Sequence, residues 1–276
     1  MTCPKHCVCD RADGCSPTYP EPMTKNLEST NLYSELSSAA SSLTAPARVL
    51  AIGAHPDDIE FGAGGTLAKW ASTGCQVTML VVTDGSKGSW DASVDPDDLI
   101  ATRAAEQSAA AAALGAAEVR HLDLVDGELE YTMELRKEMC RQIRELKPDV
   151  VLSHDPWQLY QLHPDHRATG WAVVDGVISA RDHLFFPEQG LEEHRPTAVL
   201  LWSAQTPDHW EDIREHFDAK IEALLCHSSQ GTTTMGGAEQ TSNNKEAFVG
   251  KMQRWVAKQG ESAGLAAAES FKRITP

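Results

Sequence analysis

The stretch AIGAHPDDIEFGAGG, residues 51–65, decides how the chain is read. An apolar run, ARVLAIGA from Ala47 to Ala54, leads into it and reads as a strand buried on both faces. The segment GGTLAKWASTG that follows reads as a helix closed by Gly74. Between strand and helix sit His55, Asp57, Asp58 and Glu60. In an open α/β sheet, ligands collect where strands hand over to helices at their carboxyl ends. Ionisable residues crowded there point to chemistry. The competing reading is a plain turn whose aspartates cap the next helix.

Working outward, the same alternation repeats. CQVTMLVVTDG (75–85), EVRHLDL (118–124), PDVVLSH (148–154) and TAVLLWSA (197–204) read as further strands. DPDDLIATRAAEQSAAAAALG (95–115), MELRKEMCRQIRELK (133–147) and DHRATGWAVVDGVISA (165–180) read as helices, with two more near 211–225 and 244–258. Strands alternating with long helices predict a Rossmann-like α/β fold: a mostly parallel sheet flanked by helices on both faces, its active site at the strand C-terminal ends. The loops after four strands carry HPDD, TDGSKGS, LVDGEL and HDPWQLYQLHPDH, whereas the opposite connections (STG, LGAA, LKP) are plain turns.

The chain has 276 residues, 41% of them hydrophobic, and a formal net charge of −16. That charge disfavours nucleic acid and anionic membrane surfaces as partners, which reward clustered Lys and Arg. No apolar run reaches the length of a membrane span, and the first thirty residues hold no apolar core segment of a signal peptide. A cytoplasmic location is the resulting expectation. Residues 1–46, rich in Pro and Ser with Cys3, Cys7, Cys9 and Cys15, read as a weakly ordered extension, and 47–276 as one catalytic domain. The four cysteines with His6 are a candidate second metal site whose spacing matches no standard pair.

HPDD (55–58) and HPDH (163–166) together supply three histidines and three aspartates at neighbouring strand ends. Catalytic zinc sites use three protein ligands and keep one position open. His55, Asp58 and one histidine of the second cluster meet that need and leave a carboxylate free as general base. GAGG (62–65) is an incomplete nucleotide fingerprint, since the glycines follow HPDD rather than the strand. It suits close packing of the helix on the sheet.

On AHPDDIEFGAGGTLA, TDGSKGS, RAAEQSAAAAALG, LVDGEL, HPDHRATG and KIEALLCHSSQ, the chain resembles the LmbE-like (PIG-L) family of metal-dependent de-N-acetylases, from about Arg48 to Gln230. The resemblance implies removal of acetate from an N-acetylated amino sugar or N-acetylglucosaminyl conjugate. It implies Zn2+, with Fe2+ or another divalent metal as substitutes, held by His55, Asp58 and His166. Asp57 is then the general base, and His163 the general acid or charge stabiliser. Asp165 orients a ligand or His163, and Glu60 buttresses the loop. Arg103, Asp126, Tyr160 and His227 are implied substrate-binding residues. Tyr160 is displaced by one position from the family's tyrosine, whose place Gln161 takes. Arg103 has an alternative partner in Glu106, and His154 is expected to pack behind the site. The partner is a small amino sugar, and the family's multimers make a homo-oligomer an expectation. Two alternatives remain open: an amidase of the same family cleaving a larger acyl group, and a non-catalytic sugar- or metal-binding protein. Trp90, Phe185 and Phe186 are candidates for an apolar wall.

Overall fold

The structure, a computed structural model, describes residues 42–276. The proposed metal site at Cys3, Cys7, Cys9 and Cys15 and almost all of a possible helix at 32–43 lie outside the described residues. In chain order the elements are β1 Arg48–Gly53, α1 Asp58–Ser72, β2 Gln76–Thr83, α2 Pro96–Leu114, β3 Glu118–Leu124, α3 Met133–Leu146, β4 Val150–His154 and α4 Pro164–Arg181. Then follow β5 Ala198–Trp202, β6 His209–Asp212, α5 Phe217–Cys226, α6 Gly231–Thr234, α7 Ser242–Gly260 and β7 Ala268–Ile274.

The seven strands lie in the order β3-β2-β1-β4-β5-β7-β6. β3 through β5 are parallel, and β7 runs antiparallel to both β5 and β6. β1 shows why its sequence is apolar without a break. Val49 and Ala51 face one core with Leu67 of α1 and Leu114 of α2. Leu50 and Ile52 face the other with Met139 of α3 and Val173 of α4. A strand covered on both sides has no position for a polar side chain.

Helix boundaries follow local chemistry. Asp95 caps α2 by accepting from the Asp97 N–H, Pro96 occupies the first turn, and Gly115 closes the helix at φ +74°. The Thr132 hydroxyl likewise accepts from the Leu135 N–H at the start of α3. The glycines of α1 serve contact. A Cβ at Gly62 would lie 2.4 Å from Cδ2 of Trp202, and one at Gly65 would lie 2.8 Å from Cβ of Ile213. α1 therefore lies against β5 at a distance only glycine allows.

The end of the chain departs from expectation. The segment read as a helix near 211–225 begins as β6, and the helix itself starts at Phe217. β7 also has no counterpart in the reading above. Both strands carry buried charge that conceals them. Glu211 accepts from His209 Nε2 at 2.7 Å and from Lys69 Nζ at 2.9 Å. Glu269 pairs with Lys220, and both are fully buried. Among the described residues no helix is long and apolar enough to cross a membrane.

Candidate metal centre and active-site cavity

The strand order reverses between β1 and β4, and this is where a doubly wound sheet opens a crevice. HPDD leaves the end of β1 and HPDH leaves the neighbouring end of β4, so residues 110 apart in sequence meet. The His55 ring lies 4.5 Å from that of His163 and 5.2 Å from that of His166. His166 Nε2 is 3.2 Å from Asp58 Oδ1, and His55 Nδ1 is 3.2 Å from Asp58 Oδ2. The three expected ligands therefore adjoin one another.

Asp57 is held in the left-handed region at φ +100°. A non-glycine residue there is uncommon and calls for a reason. It makes no side-chain cap, which removes the plain-turn reading, and Asp58 Oδ2 instead accepts from the His55 N–H at 2.8 Å. Asp57 is buried and its Oδ2 has no protein partner. Burial first, then the Asp58 carboxylate, push its carboxyl up to about 7 against the pull of Arg103 and His227. His163 Nδ1 is likewise buried without a partner. Unpaired polar atoms at one spot are the exception in a folded interior and mark a place where something else binds or reacts.

The donors suit a divalent cation. Ligand atoms of His55, His163 and His166 lie within 4.8 Å of one another, and so do those of Asp58, His154 and His166. Asp165 Oδ2 and Asp126 Oδ1 stand 3.1 and 3.2 Å from His55 Nε2. Carboxylates only accept, so the Nε2 proton points to them and Nδ1 is turned toward Asp58. This is the carboxylate–histidine pairing that orients metal ligands. Burial opposes a charge on His55, but Asp126, Asp165 and Asp58 outweigh it and push the imidazole up to about 12. Burial also opposes the charge on Asp58, yet His166 and His154 hold its carboxyl well below the usual range. Asp165 thus serves His55 rather than His163, and its Oδ2 also accepts from the Gly127 N–H at 2.7 Å.

His154 sits where it touches Asp58, with Nε2 at 3.3 Å from Oδ2. Its other nitrogen is turned to the sheet. The Trp202 indole, an obligate donor, gives its N–H to His154 Nδ1 at 3.1 Å. Burial keeps the ring neutral, down to about 4. The Ala54 N–H lies 3.2 Å from Nε2, so both ring nitrogens of His154 face protein N–H donors.

The centre opens into a cavity of about 420 Å³ lined by His55, Asp57, Asp58, His163 and His166, and by loops after β2 and β3. Arg103 and Asp126 line it too. Arg103 does not pair with Glu106. Its Nη1 donates to Gly85 O at 2.9 Å and its Nη2 to Pro56 O at 2.7 Å, so it fixes two loops. Glu106 instead accepts from Ser228 Oγ and from the Ser229 N–H, each at 2.8 Å.

Two expected substrate residues lie elsewhere. Tyr160 is 85% exposed at φ +62° and is not part of the cavity wall. The one-residue displacement in HDPWQLYQLHPDH puts its ring in solvent. His227 is fully buried, with Nε2 at 3.5 Å from Glu60 Oε2, so it stands behind Asp57 without reaching the cavity. Glu60 buttresses through Gln107, whose Nε2 donates to Glu60 Oε1 at 2.6 Å while its Oε1 takes the Asp57 N–H at 3.2 Å. Phe185 packs under Arg136, whose guanidinium is 5.1 Å from the ring centroid, and does not line the cavity. Sequence reasoning missed Gln107, Gln230, Thr233 and Thr234. Of these, Gln230 was signalled by the CHSSQ segment that had drawn attention to His227. A larger groove of about 740 Å³ between β3 and α3 is lined by Leu122, Leu124, Leu135 and several glutamates, with none of the HPDD or HPDH residues.

Comparison with known proteins agrees with this geometry. The PIG-L, GlcNAc-PI de-N-acetylase, family profile matches residues 50–177. A diacetylchitobiose deacetylase of Thermococcus kodakarensis is 38% identical over 186 residues, covering 66% of this chain and 70% of that one. A 1D-myo-inositol 2-acetamido-2-deoxy-alpha-D-glucopyranoside deacetylase of Rhodococcus erythropolis is 30% identical, covering 71% and 85%. The solved N,N'-diacetylchitobiose deacetylase of Pyrococcus horikoshii superposes with a TM-score of 0.75 at 30% identity, covering 83% and 84%. The HPDD and HPDH loops, joined at the sheet's switch point, are those of a chain that belongs to the PIG-L, GlcNAc-PI de-N-acetylase, family.

Proposed function

We propose that the protein is a zinc-dependent hydrolase that removes the acetyl group from an N-acetylglucosaminyl conjugate, releasing acetate and a free amine. The observation that carries this is the buried, unpartnered Asp57 Oδ2, next in sequence to Asp58, whose carboxylate lies 3.2 Å from both His55 Nδ1 and His166 Nε2. A binding protein has no use for a carboxylate held unpaired at a strained φ. The relatives' names, diacetylchitobiose deacetylase and a glucosaminyl-inositol deacetylase, support the substrate class.

His55, Asp58 and His166 would hold the ion, and their mixed nitrogen and oxygen donors suit Zn2+ or Fe2+. When bound there, such an ion polarises the amide carbonyl and lowers the pKa of water toward ~7. The remaining work falls to the protein. Asp126 and Asp165 keep the His55 proton on Nε2. Asp57 accepts the proton of the attacking water as its oxygen bonds to the acetyl carbon. His163 stabilises the charge that develops and gives a proton to the nitrogen as the C–N bond breaks. The proton on Asp57 then restores His163. Arg103 keeps the HPDD loop and the loop after β2 in register around the substrate, and Asp126 faces its hydroxyls.

The test is incubation with N,N'-diacetylchitobiose, with free amine and acetate measured together. Equal amounts, abolished by a chelator and restored by Zn2+, are expected. Amine release that persists in chelator would overturn the metal-dependent reading.

A further inference from the structure

Apart from Trp90 and two glycines, the active-site cavity is lined by residues that carry a polar group on the side chain. Beyond the metal-centre residues it presents Lys87, Ser89, Arg103, Asp126, Gln230 and Thr233. Among the described residues that line it, Trp90 is the sole aromatic hydrocarbon surface, and its side chain is 75% exposed. Leaving an indole in water forgoes the favourable burial of a large apolar surface. A scattered exposed aromatic needs no explanation, but one at the mouth of a reactive cavity does.

The loop that presents Trp90 is tied down. The Gln230 amide donates to Gly88 O at 2.9 Å, and Arg103 donates to Gly85 O at 2.9 Å. The Lys87 N–H donates to Asp126 Oδ2 at 3.2 Å, and the Ser86 N–H to Asp84 Oδ1 at 2.9 Å. Gly88 is required here, because a Cβ would lie 2.1 Å from Nη1 of Arg103. Four bonds within five residues thus hold the backbone just before an uncovered ring. The backbone leading to the ring is therefore ordered before a ligand arrives.

We infer that Trp90 is the platform for the ring next to the acetylated sugar. The hydroxyl-directed wall takes the N-acetylglucosaminyl unit. The indole face stacks on the C–H face of a second polyhydroxylated ring, a hexopyranose or a cyclitol. The inference rests on the deacetylase reading above and adds to it the class of aglycone. It makes Trp90 a specificity residue that touches substrate away from the reacting atoms.

The experiment compares N-acetylglucosamine, N,N'-diacetylchitobiose and N-acetylglucosaminyl-inositol as substrates of the wild type, Trp90→Ala and Trp90→Phe. The readout is amine release. The zinc-loaded full chain is used, and thermal denaturation checks that the exposed substitutions leave the fold intact. Trp90→Ala is expected to lower kcat/KM about tenfold on a ringed conjugate, through KM, and less than twofold on N-acetylglucosamine. Trp90→Phe should recover most of the loss. The conjugate with the larger loss identifies the ring. An equal loss on all three substrates, or no loss on any, would overturn the platform while leaving the deacetylase reading intact. A wild type inert on all three would remove that reading and this inference together.

Discussion

Asp57→Asn separates the roles assigned to the two adjacent aspartates. The structure makes this a clean perturbation. Asparagine tolerates the left-handed backbone that Asp57 occupies at φ +100°. The Asp57 N–H still donates to Gln107, and the amide keeps the carboxylate's shape. His55, Asp58 and His166 touch one another without going through Asp57. Metal affinity should therefore change by less than about threefold. Proton abstraction is lost, and a positioned general base contributes about 10²–10⁴ in rate, or about 2.7–5.4 kcal/mol of barrier. The assay is kcat for amine release at saturating substrate, with metal content measured on the same sample. A loss of two to four decades with full metal occupancy is expected. Loss of the metal would mean that base and ligand have been exchanged. Activity above one tenth of wild type would mean that another group takes the proton.

Other expectations follow from the surrounding network. Lys220→Met strands Glu269, fully buried beside the Gly65 and Thr66 N–H groups that it accepts from at 2.9 and 2.8 Å. An uncompensated buried charge costs ~3–5 kcal/mol, so a fall in Tm of roughly 6–20 °C is expected, and a fall of under about 3 °C would contradict it. Burial opposes ionisation of Glu211, but His209, Lys69 and the Leu43 N–H outweigh it and hold its carboxyl below its ordinary value of 4.5. A depressed carboxyl contributes stability above that value and loses it as pH falls further. Glu211→Gln should therefore flatten the decline in urea stability below about pH 4.5, and an unchanged slope would refute the pairing.

The sheet and the two histidine–aspartate clusters were legible because both are local. β1 announces itself by six residues without a charge between Val49 and Ala54, and HPDD and HPDH each lie within four residues of one another. Their meeting follows from strand topology. β6 and β7 were not legible, because Glu211, His209 and Glu269 look like surface residues until Lys69 and Lys220, up to 142 residues away, neutralise them. The spacing of CHSSQ suggested that His227 reaches the cavity. The chain turn there instead sends Gln230 into the wall and buries the imidazole against Glu60. Tyr160, expected at the substrate, lies exposed outside the cavity wall. Arg103 was read as a substrate-binding residue with Glu106 as its alternative partner; it lines the cavity, and two carbonyls on separate loops, Gly85 and Pro56, claim its guanidinium. Contacts of that kind have no signature in spacing.

The central claim is that one divalent ion held by His55, Asp58 and His166 makes the cavity a hydrolase. The most direct measurement is a titration of chelator-stripped protein with Zn2+ while amine release from N,N'-diacetylchitobiose is followed. Activity should start near zero, rise linearly and level off at one equivalent per chain, and the His166→Ala protein should fail to follow that line. Full activity before any zinc is added, or an unchanged titration for His166→Ala, would contradict the claim.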